Sequence, residues 1–281
     1  MIKVAVTGAS GFVGRHVLAE LSKHDVEVVA VTRKDVEKLP EICNCRWTQM
    51  DMSCPSNNAF EALGRPDVMI HLAWQGLPNY NSLHHFEREV PIQYTFLAQL
   101  IEQGLKTVVV SGTCFEYGMQ SGALSEGMET RPGNSYGFAK DLLRKQLQFY
   151  KAHVPFNLIW TRLFYMYGDG QPENSLIPQL KKAVADGFSQ FNMSGGEQLR
   201  DYLPVTDIAE KLVLLALKQQ DIGIVNVCSG KPISVRNLVE KMICDEQWNI
   251  TLKLGVYPYP EYEPMAFWGE RQKLDNSMGL L

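Results

Sequence analysis

Thr7-Gly8-Ala9-Ser10-Gly11-Phe12-Val13-Gly14 is the stretch on which the reading of this chain turns. It ends a short β-rich run, Lys3–Thr7, and leads into Arg15–Lys23, whose apolar residues fall at helical spacing. Strand, glycine-rich turn, then helix is the context that a dinucleotide site requires. Gly8 permits a tight turn, Gly11 lets backbone approach a pyrophosphate, and Gly14 lets helix and strand pack closely. The first helical turn supplies free N–H groups and a positive partial charge for phosphates. The spacing is GxxGxxG rather than the common GxGxxG fingerprint, so the flanking strand and helix carry the assignment.

The alternation continues outward. Glu27–Thr32, Val68–Ala73, Thr107–Ser111, Phe156–Arg162 and Gly223–Cys228 are strand-like runs rich in β-branched residues. Pro91–Gln103, Ala139–Ala152, Ile208–Lys218 and Val235–Cys244 have helical periodicity. Continuous apolar runs divided by amphipathic helices predict a parallel sheet covered on both faces, a doubly wound α/β (Rossmann) fold. Residues 166–200 and those after 245 break the pattern, and Val256–Pro264 (VYPYPEYEP) suggests irregular covering structure. The expected division is 1–165 plus 201–228 as the dinucleotide-binding domain. The remainder, 166–200 plus 229–281, forms a smaller C-terminal substrate lobe.

Composition narrows the function classes. The 281 residues suffice for one α/β domain with an appended lobe. A net charge of −4, from 31 acidic and 27 basic residues, gives no reason to expect a nucleic-acid or membrane partner. Met1–Ser10 carries no basic leader or spanning segment, and the cysteines are scattered, so a reducing cytoplasm is the expectation. Cys43-Asn44-Cys45 with Cys54 lacks the second pair or spaced histidine that a metal site needs, and no metal is expected.

The residues after the second strand read the adenosine ribose. A carboxylate there suits the 2′-hydroxyl, and a cation suits a 2′-phosphate. Here the order is Val31-Thr32-Arg33-Lys34, so NADP is the preferred cofactor, with NAD the alternative. Asp51, after Trp47–Met50, is placed to meet the adenine edge.

Tyr136-Gly137-Phe138-Ala139-Lys140 puts a phenol and an ammonium four residues apart, on one face of a helix. A nearby ammonium favours the phenolate, and so equips the tyrosine to exchange a proton with a carbonyl or alcohol.

With these motifs assembled, the chain resembles the extended short-chain dehydrogenase/reductases that act on nucleotide sugars, the NAD-dependent epimerase/dehydratase family. The resemblance runs through TGASGFVG (7–14), HLA (71–73), SGTCFEYG (111–118) and YGFAK (136–140). It continues through TRLFYMYG (161–168), LRDYLPVTDIAE (199–210) and NVCSGKPISVRNLVE (226–240), and the family's usual C-terminal end looks shortened. It implies Thr113 as the hydroxyl that bonds the reacting sugar oxygen, Tyr136 as general acid/base, and Lys140 as the residue that holds the nicotinamide ribose. It also implies cofactor contacts from Ser10, Phe12, Val13, Met52, Leu72, Ala73 and Trp74. Arg200 would pair with a substrate diphosphate and Asn174 would touch the substrate. Arg162 and Asp201 also read simply as an internal ion-pair member and a cap. A homodimer through the helices near Pro91–Gln103 and Ala139–Ala152 is implied by resemblance alone.

Departures from the pattern select among reactions. Sugar 4,6-dehydratases carry an acidic pair directly after the catalytic threonine, where this chain has Cys114 and Phe115. The epimerase-reductases that make GDP-fucose use a cysteine and a histidine where this chain has Phe115 and Asp169. What remains needs only Thr113, Tyr136 and Lys140. That is 4-ketoreduction of a nucleotide-linked 4-keto-6-deoxyhexose, or the reverse oxidation, as in deoxysugar and O-antigen biosynthesis. C4-epimerisation with retained NAD is the alternative, and a non-catalytic NADP-binding sensor is a third.

Overall fold

Val4 and Val6 join the apolar core on one side of a sheet and Ala5 the core on the other, and all three are fully buried. Successive side chains of a strand alternate in direction, so an unbroken apolar run needs cover on both faces. The computed structural model describes residues 1–279. Its first half runs β1 (Ile2–Thr7), α1 (Phe12–Leu21), β2 (Val26–Thr32), β3 (Cys45–Gln49), α2 (Ala59–Ala62), β4 (Val68–His71), α3 (Val90–Glu102) and β5 (Thr107–Thr113). There follow β6 (Gly122–Leu124), α4 (Ser135–Lys151), β7 (Asn157–Leu163), β8 (Tyr165–Tyr167), α5 (Leu176–Ala185) and β9 (Gln190–Asn192). The rest is β10 (Leu199–Pro204), α6 (Val205–Leu217), β11 (Gly223–Val227), β12 (Pro232–Ser234), α7 (Val235–Asp245), β13 (Thr251–Lys253), β14 (Phe267–Gly269) and α8 (Gln272–Met278).

Seven parallel strands form the main sheet in the order β11-β7-β5-β4-β1-β2-β3. The chain winds outward from β1 in one direction and then from β4 in the other, so the reversal lies between β1 and β4. In open α/β sheets, ligands bind at that crevice, outside the carboxyl ends of the strands. Val17, Leu18 and Leu21 of α1 and Ile208, Leu212 and Val213 of α6 cover one face. Phe96, Leu97 and Leu100 of α3 and Leu143 and Leu147 of α4 cover the other.

Element limits differ from the sequence reading where capping and local hydrogen bonds decide them. β5 extends two residues beyond Ser111, to Thr113. β4 stops at His71, so Leu72 and Ala73 leave the sheet at its carboxyl edge. α4 begins at Ser135 because Asn134 Oδ1 accepts from Gly137 N at 2.8 Å, a side-chain cap. That cap places Tyr136 in the first turn.

The two irregular regions contain short elements. β8, β10 and β12 make a three-stranded sheet, β9 pairs with β13, and β6 with β14. Within 201–228, α6 covers the large sheet and β11 completes it, whereas β10 joins β8 and β12. Among the described residues no helix is long and apolar enough to cross a membrane. Nor is any group of three or more His, Cys, Asp or Glu among them placed to hold a metal ion.

Candidate active site

The glycine turn leaves the carboxyl end of β1 and closes with Gly11 N donating to Gly8 O at 2.9 Å. Gly8 has φ +67°, and a β-carbon there would stand 2.8 Å from Ala73 N. A β-carbon on Gly14 would overlap the Gly8 carbonyl oxygen. Only glycine satisfies both positions. Gly11 is the N-cap of α1 and offers no side-chain cap, so the first-turn N–H groups lack a side-chain acceptor. The turn lines a cleft of about 710 Å³. Uncapped N–H groups facing a cleft of this kind fit the pyrophosphate of a dinucleotide.

At the outer end of the cleft, Arg33 lines the wall beside Thr32, whose Oγ1 lies 3.0 Å from Ser10 Oγ. Lys34 is exposed and does not line the cleft. Asp51 is also outside it: its Oδ1 accepts from Ser53 N at 2.9 Å and from Ser53 Oγ at 2.8 Å, and these bonds hold its carboxyl below the usual range. Met52 does line the cleft, as do Ser10, Phe12, Val13, Leu72, Ala73 and Trp74.

The other end gathers Thr113, Tyr136 and Lys140. Thr113 caps the single turn Cys114–Tyr117 with Oγ1 accepting from Phe115 N at 3.3 Å, which leaves its hydroxyl proton available. Lys140 is buried, and its Nζ donates to Ser111 O at 2.7 Å. Burial lowers Lys140 to about 7, against an upward pull from Glu116 and Glu89. Its Nζ lies 3.9 Å from the centroid of the Trp74 ring and 5.9 Å from that of Tyr136.

The protonation of Tyr136 departs from the expectation. Burial pushes its phenol up, and Tyr80, Glu116 and Cys114 add to the effect. Lys140 is engaged with Ser111 O and the Trp74 face, and does not offset this. The phenol is therefore held protonated.

Two further expected contacts separate. Asn174 lines the cleft just before α5. Arg200 does not: it is 2% exposed and its guanidinium is bound to Glu263. An arginine already neutralised in the interior is not presented to a diphosphate. Arg162 and Asp201 both serve structure. Arg162 pairs with Glu116 at 2.8 Å, and Asp201 accepts from Ser229 N at 2.7 Å and Gly230 N at 2.9 Å.

Sequence reasoning misses Tyr80 and Glu116. Tyr80 lies on the loop between β4 and α3, its ring centroid 5.8 Å from that of Tyr136 and 5.1 Å from that of Phe115. Nothing in the spacing of that loop marks it. Glu116 is legible in hindsight: Thr113-x-x-Glu116 is a capping box, and Glu116 Oε1 accepts from Thr113 N at 3.0 Å.

The model of the NAD-dependent epimerase/dehydratase family matches residues 4–228. The chain belongs to that family. Among its curated relatives, the dTDP-6-deoxy-L-talose 4-dehydrogenase (NAD(+)) of Aggregatibacter actinomycetemcomitans is 30% identical over 272 residues, 96% of this chain and 100% of the relative. The dTDP-4-dehydro-6-deoxyglucose reductase of Escherichia coli is 23% identical, covering 84% of this chain and 79% of that one. Among solved structures of similar fold, MoeE5 in complex with UDP-glucuronic acid and NAD is 26% identical with a TM-score of 0.82, covering 99% of this chain and 92% of that one. The UDP-glucose-4-epimerase of Stenotrophomonas maltophila has a TM-score of 0.87 at 18% identity, with the same 99% of this chain covered and 93% of its own, and shares the fold.

Proposed function

We propose that this family member is a nucleotide-sugar 4-ketoreductase, acting on the 4-keto group of a nucleotide-linked 4-keto-6-deoxyhexose. The observation that carries the reading is one cleft joining an uncapped glycine turn to buried Thr113 and Lys140 and partly buried Tyr136, in which the phenol is held protonated. Similarity to the two deoxysugar dehydrogenase and reductase relatives supports the sugar class.

Gly8–Gly14 would hold the pyrophosphate of a nicotinamide dinucleotide, Arg33 its adenosine end and Lys140 the nicotinamide ribose. The bound nicotinamide supplies, or in reverse accepts, hydride at the sugar C4. Thr113 would donate a hydrogen bond from its hydroxyl to the C4 oxygen and so orient the carbonyl, keeping its own proton. Tyr136 delivers its proton to that oxygen as the C–H bond forms, so C4=O becomes CH–OH and a phenolate remains. Lys140, its Nζ 5.9 Å from the Tyr136 ring centroid, is a nearby positive charge when that phenolate forms, and solvent then restores the proton.

Arg33 at the cleft wall, with Asp51 outside the cleft and tied to Ser53, supports NADPH over NADH. The reverse oxidation uses the same groups. A C4-epimerase would need them too, but there a 4-keto sugar would have to turn over within the site. The Tyr80 and Phe115 rings stand beside Tyr136, 5.8 and 6.4 Å from it between centroids, and their bulk at that end of the cleft is our reason for preferring reduction. We infer a homodimer through α3 and α4, the latter of which exposes Phe138 and Phe149.

The test is nicotinamide absorbance with dTDP-4-keto-6-deoxyglucose, offering NADPH and NADH in parallel, with and without a 3,5-epimerase. Faster oxidation of NADPH, abolished in Tyr136→Phe with cofactor binding intact, is the expected result. Protein that binds cofactor yet oxidises neither form sinks this substrate. Interconversion of sugars without net cofactor use identifies an epimerase instead.

A further inference from the structure

The loop after β4, Leu72–Leu83, belongs to no regular element, leads into a π-helical turn at His85–Glu89, and is stitched to α4: Tyr136 N donates to Tyr80 O at 2.9 Å and Ser135 Oγ to Asn81 O at 3.1 Å. Trp74 stands within it. The Trp74 ring covers the Lys140 ammonium at 3.9 Å and meets the Tyr136 ring edge-on at 6.0 Å. Its indole N–H is not free to turn. Trp74 Nε1 donates to His85 Nδ1 at 3.1 Å, so the ring proton of His85 sits on Nε2, which donates to Asn79 O at 2.8 Å. His85 is fully buried, and its ring packs 5.4 Å from that of Tyr136. A histidine held at both nitrogens therefore fixes the indole, and the indole faces the one cation at the reacting end of the cleft.

We propose that Trp74, aimed by His85, is a positioning residue for Lys140: its face keeps the ammonium out of water and directed along Ser111. A π face attracts a cation and also displaces solvent from it. The inference rests on the reading of Tyr136 and Lys140 as the proton-transfer pair. The groups around the ammonium are Ser111 O from β5, His71 from β4, Tyr136 from α4, Glu89 next to α3, Glu116 from the turn after β5, and the Trp74–His85 pair. Of these, Glu116 and Glu89 act to keep Lys140 protonated, and the Lys140 charge in turn helps to hold His71 low. Burial outweighs the two carboxylates, and Trp74 covers the ammonium from one side, at 3.9 Å, where Lys140 meets the cleft.

The experiment compares the full-length wild type with W74A, W74F, H85L and H85N. It reads NADPH affinity by fluorescence across pH, and the pH dependence of kcat in the reduction direction. Wild type should lose affinity and rate as pH rises through the Lys140 value of about 7. W74A lets water reach the ammonium, so the midpoint should rise by about one pH unit or more towards that of an ordinary lysine. W74F keeps an aromatic face and should stay near wild type. H85L removes the acceptor for Trp74 and should move in the same direction as W74A. H85N offers an oxygen in place of Nδ1 and should restore the wild-type midpoint.

Folded W74A and H85L with the wild-type midpoint overturn the proposal, even if both are slower, because a uniform loss marks a merely structural role. If W74A does not fold, H85L against H85N decides. Tyr136→Phe separates the two levels. Undiminished turnover in that variant refutes the proton-transfer pair itself, whereas its inactivity together with unmoved midpoints refutes only the role of Trp74.

Discussion

Arg200 Nη2 donates to Glu263 Oε2 at 2.8 Å, and the two side chains are only 3% and 9% exposed. Tyr165 Oη donates to the other oxygen of Glu263 at 2.5 Å, and Arg200 Nη1 donates to Leu199 O at 2.9 Å and Met265 O at 3.3 Å. The pair thus pins β10 to the proline- and tyrosine-rich tail beside the cleft. Its first role is cohesion of the smaller sheets.

Removing one partner strands the other charge in the interior. Arg200→Met and Glu263→Gln should each lower unfolding free energy by about 3–5 kcal/mol, read by urea denaturation. Measured below both transitions, the KM for a nucleotide sugar should stay within about threefold of wild type. A tenfold or larger rise in KM at unchanged stability would show instead that Arg200 meets the substrate.

Glu116 is a second buried anchor. It accepts from Trp160 Nε1 at 2.8 Å, Arg162 Nε at 2.8 Å and Thr113 N at 3.0 Å, and Arg144 lies 3.8 Å away. Glu116→Gln should cost about 3–5 kcal/mol of stability. It should also lower kcat more than it raises KM, because the carboxylate holds the backbone of Thr113. Adding Arg162→Met should recover part of the stability loss, since the uncompensated cation is then gone. Strict additivity in that cycle would contradict the network.

His71 gives the chain an acid-sensitive step. Burial, and next the charge of Lys140, hold this imidazole down at about 3, and its Nδ1 lies 2.9 Å from Thr7 Oγ1. Unfolded, it titrates at the ordinary value of about 6.5. The native state therefore binds fewer protons between those values, and stability is lost as pH falls through that window. His71→Asn should flatten the stability profile between about pH 6.5 and 4.5, above most carboxylate titration. An unchanged slope would assign the acid limb to other groups.

Phe138 and Phe149 are 47% and 76% exposed on α4, eleven residues apart, and so on one face. Light scattering should report a dimer for wild type and a monomer for Phe149→Glu with the fold intact by circular dichroism. A wild-type monomer at micromolar concentration would remove the inferred interface.

The sequence alone determined the large sheet. Val4–Val6, Val28–Val31, Met69–Ile70 and Val108–Val110 are apolar without a break, and only burial on both faces accommodates such runs. Gly8 and Gly14 were equally legible, because close approach of backbone to backbone admits no other residue there. The four-residue spacing of Tyr136 and Lys140 survives folding because a helix converts spacing directly into proximity.

Tertiary structure decided what depends on contacts between distant segments. Whether Arg200 faces a substrate or Glu263, sixty-three residues on, cannot be read from either neighbourhood. The proton affinities of Tyr136 and Lys140 follow from how thoroughly the fold dries them, and here burial outweighs the neighbouring charges that spacing brings to mind. The three-residue strands β6, β8, β9, β12, β13 and β14 are too brief for periodicity to reveal, and pairing partners across the chain define them. Local pattern fixes the elements and the residues they carry. Burial and long-range pairing fix which of those residues are charged, free and turned towards the cleft.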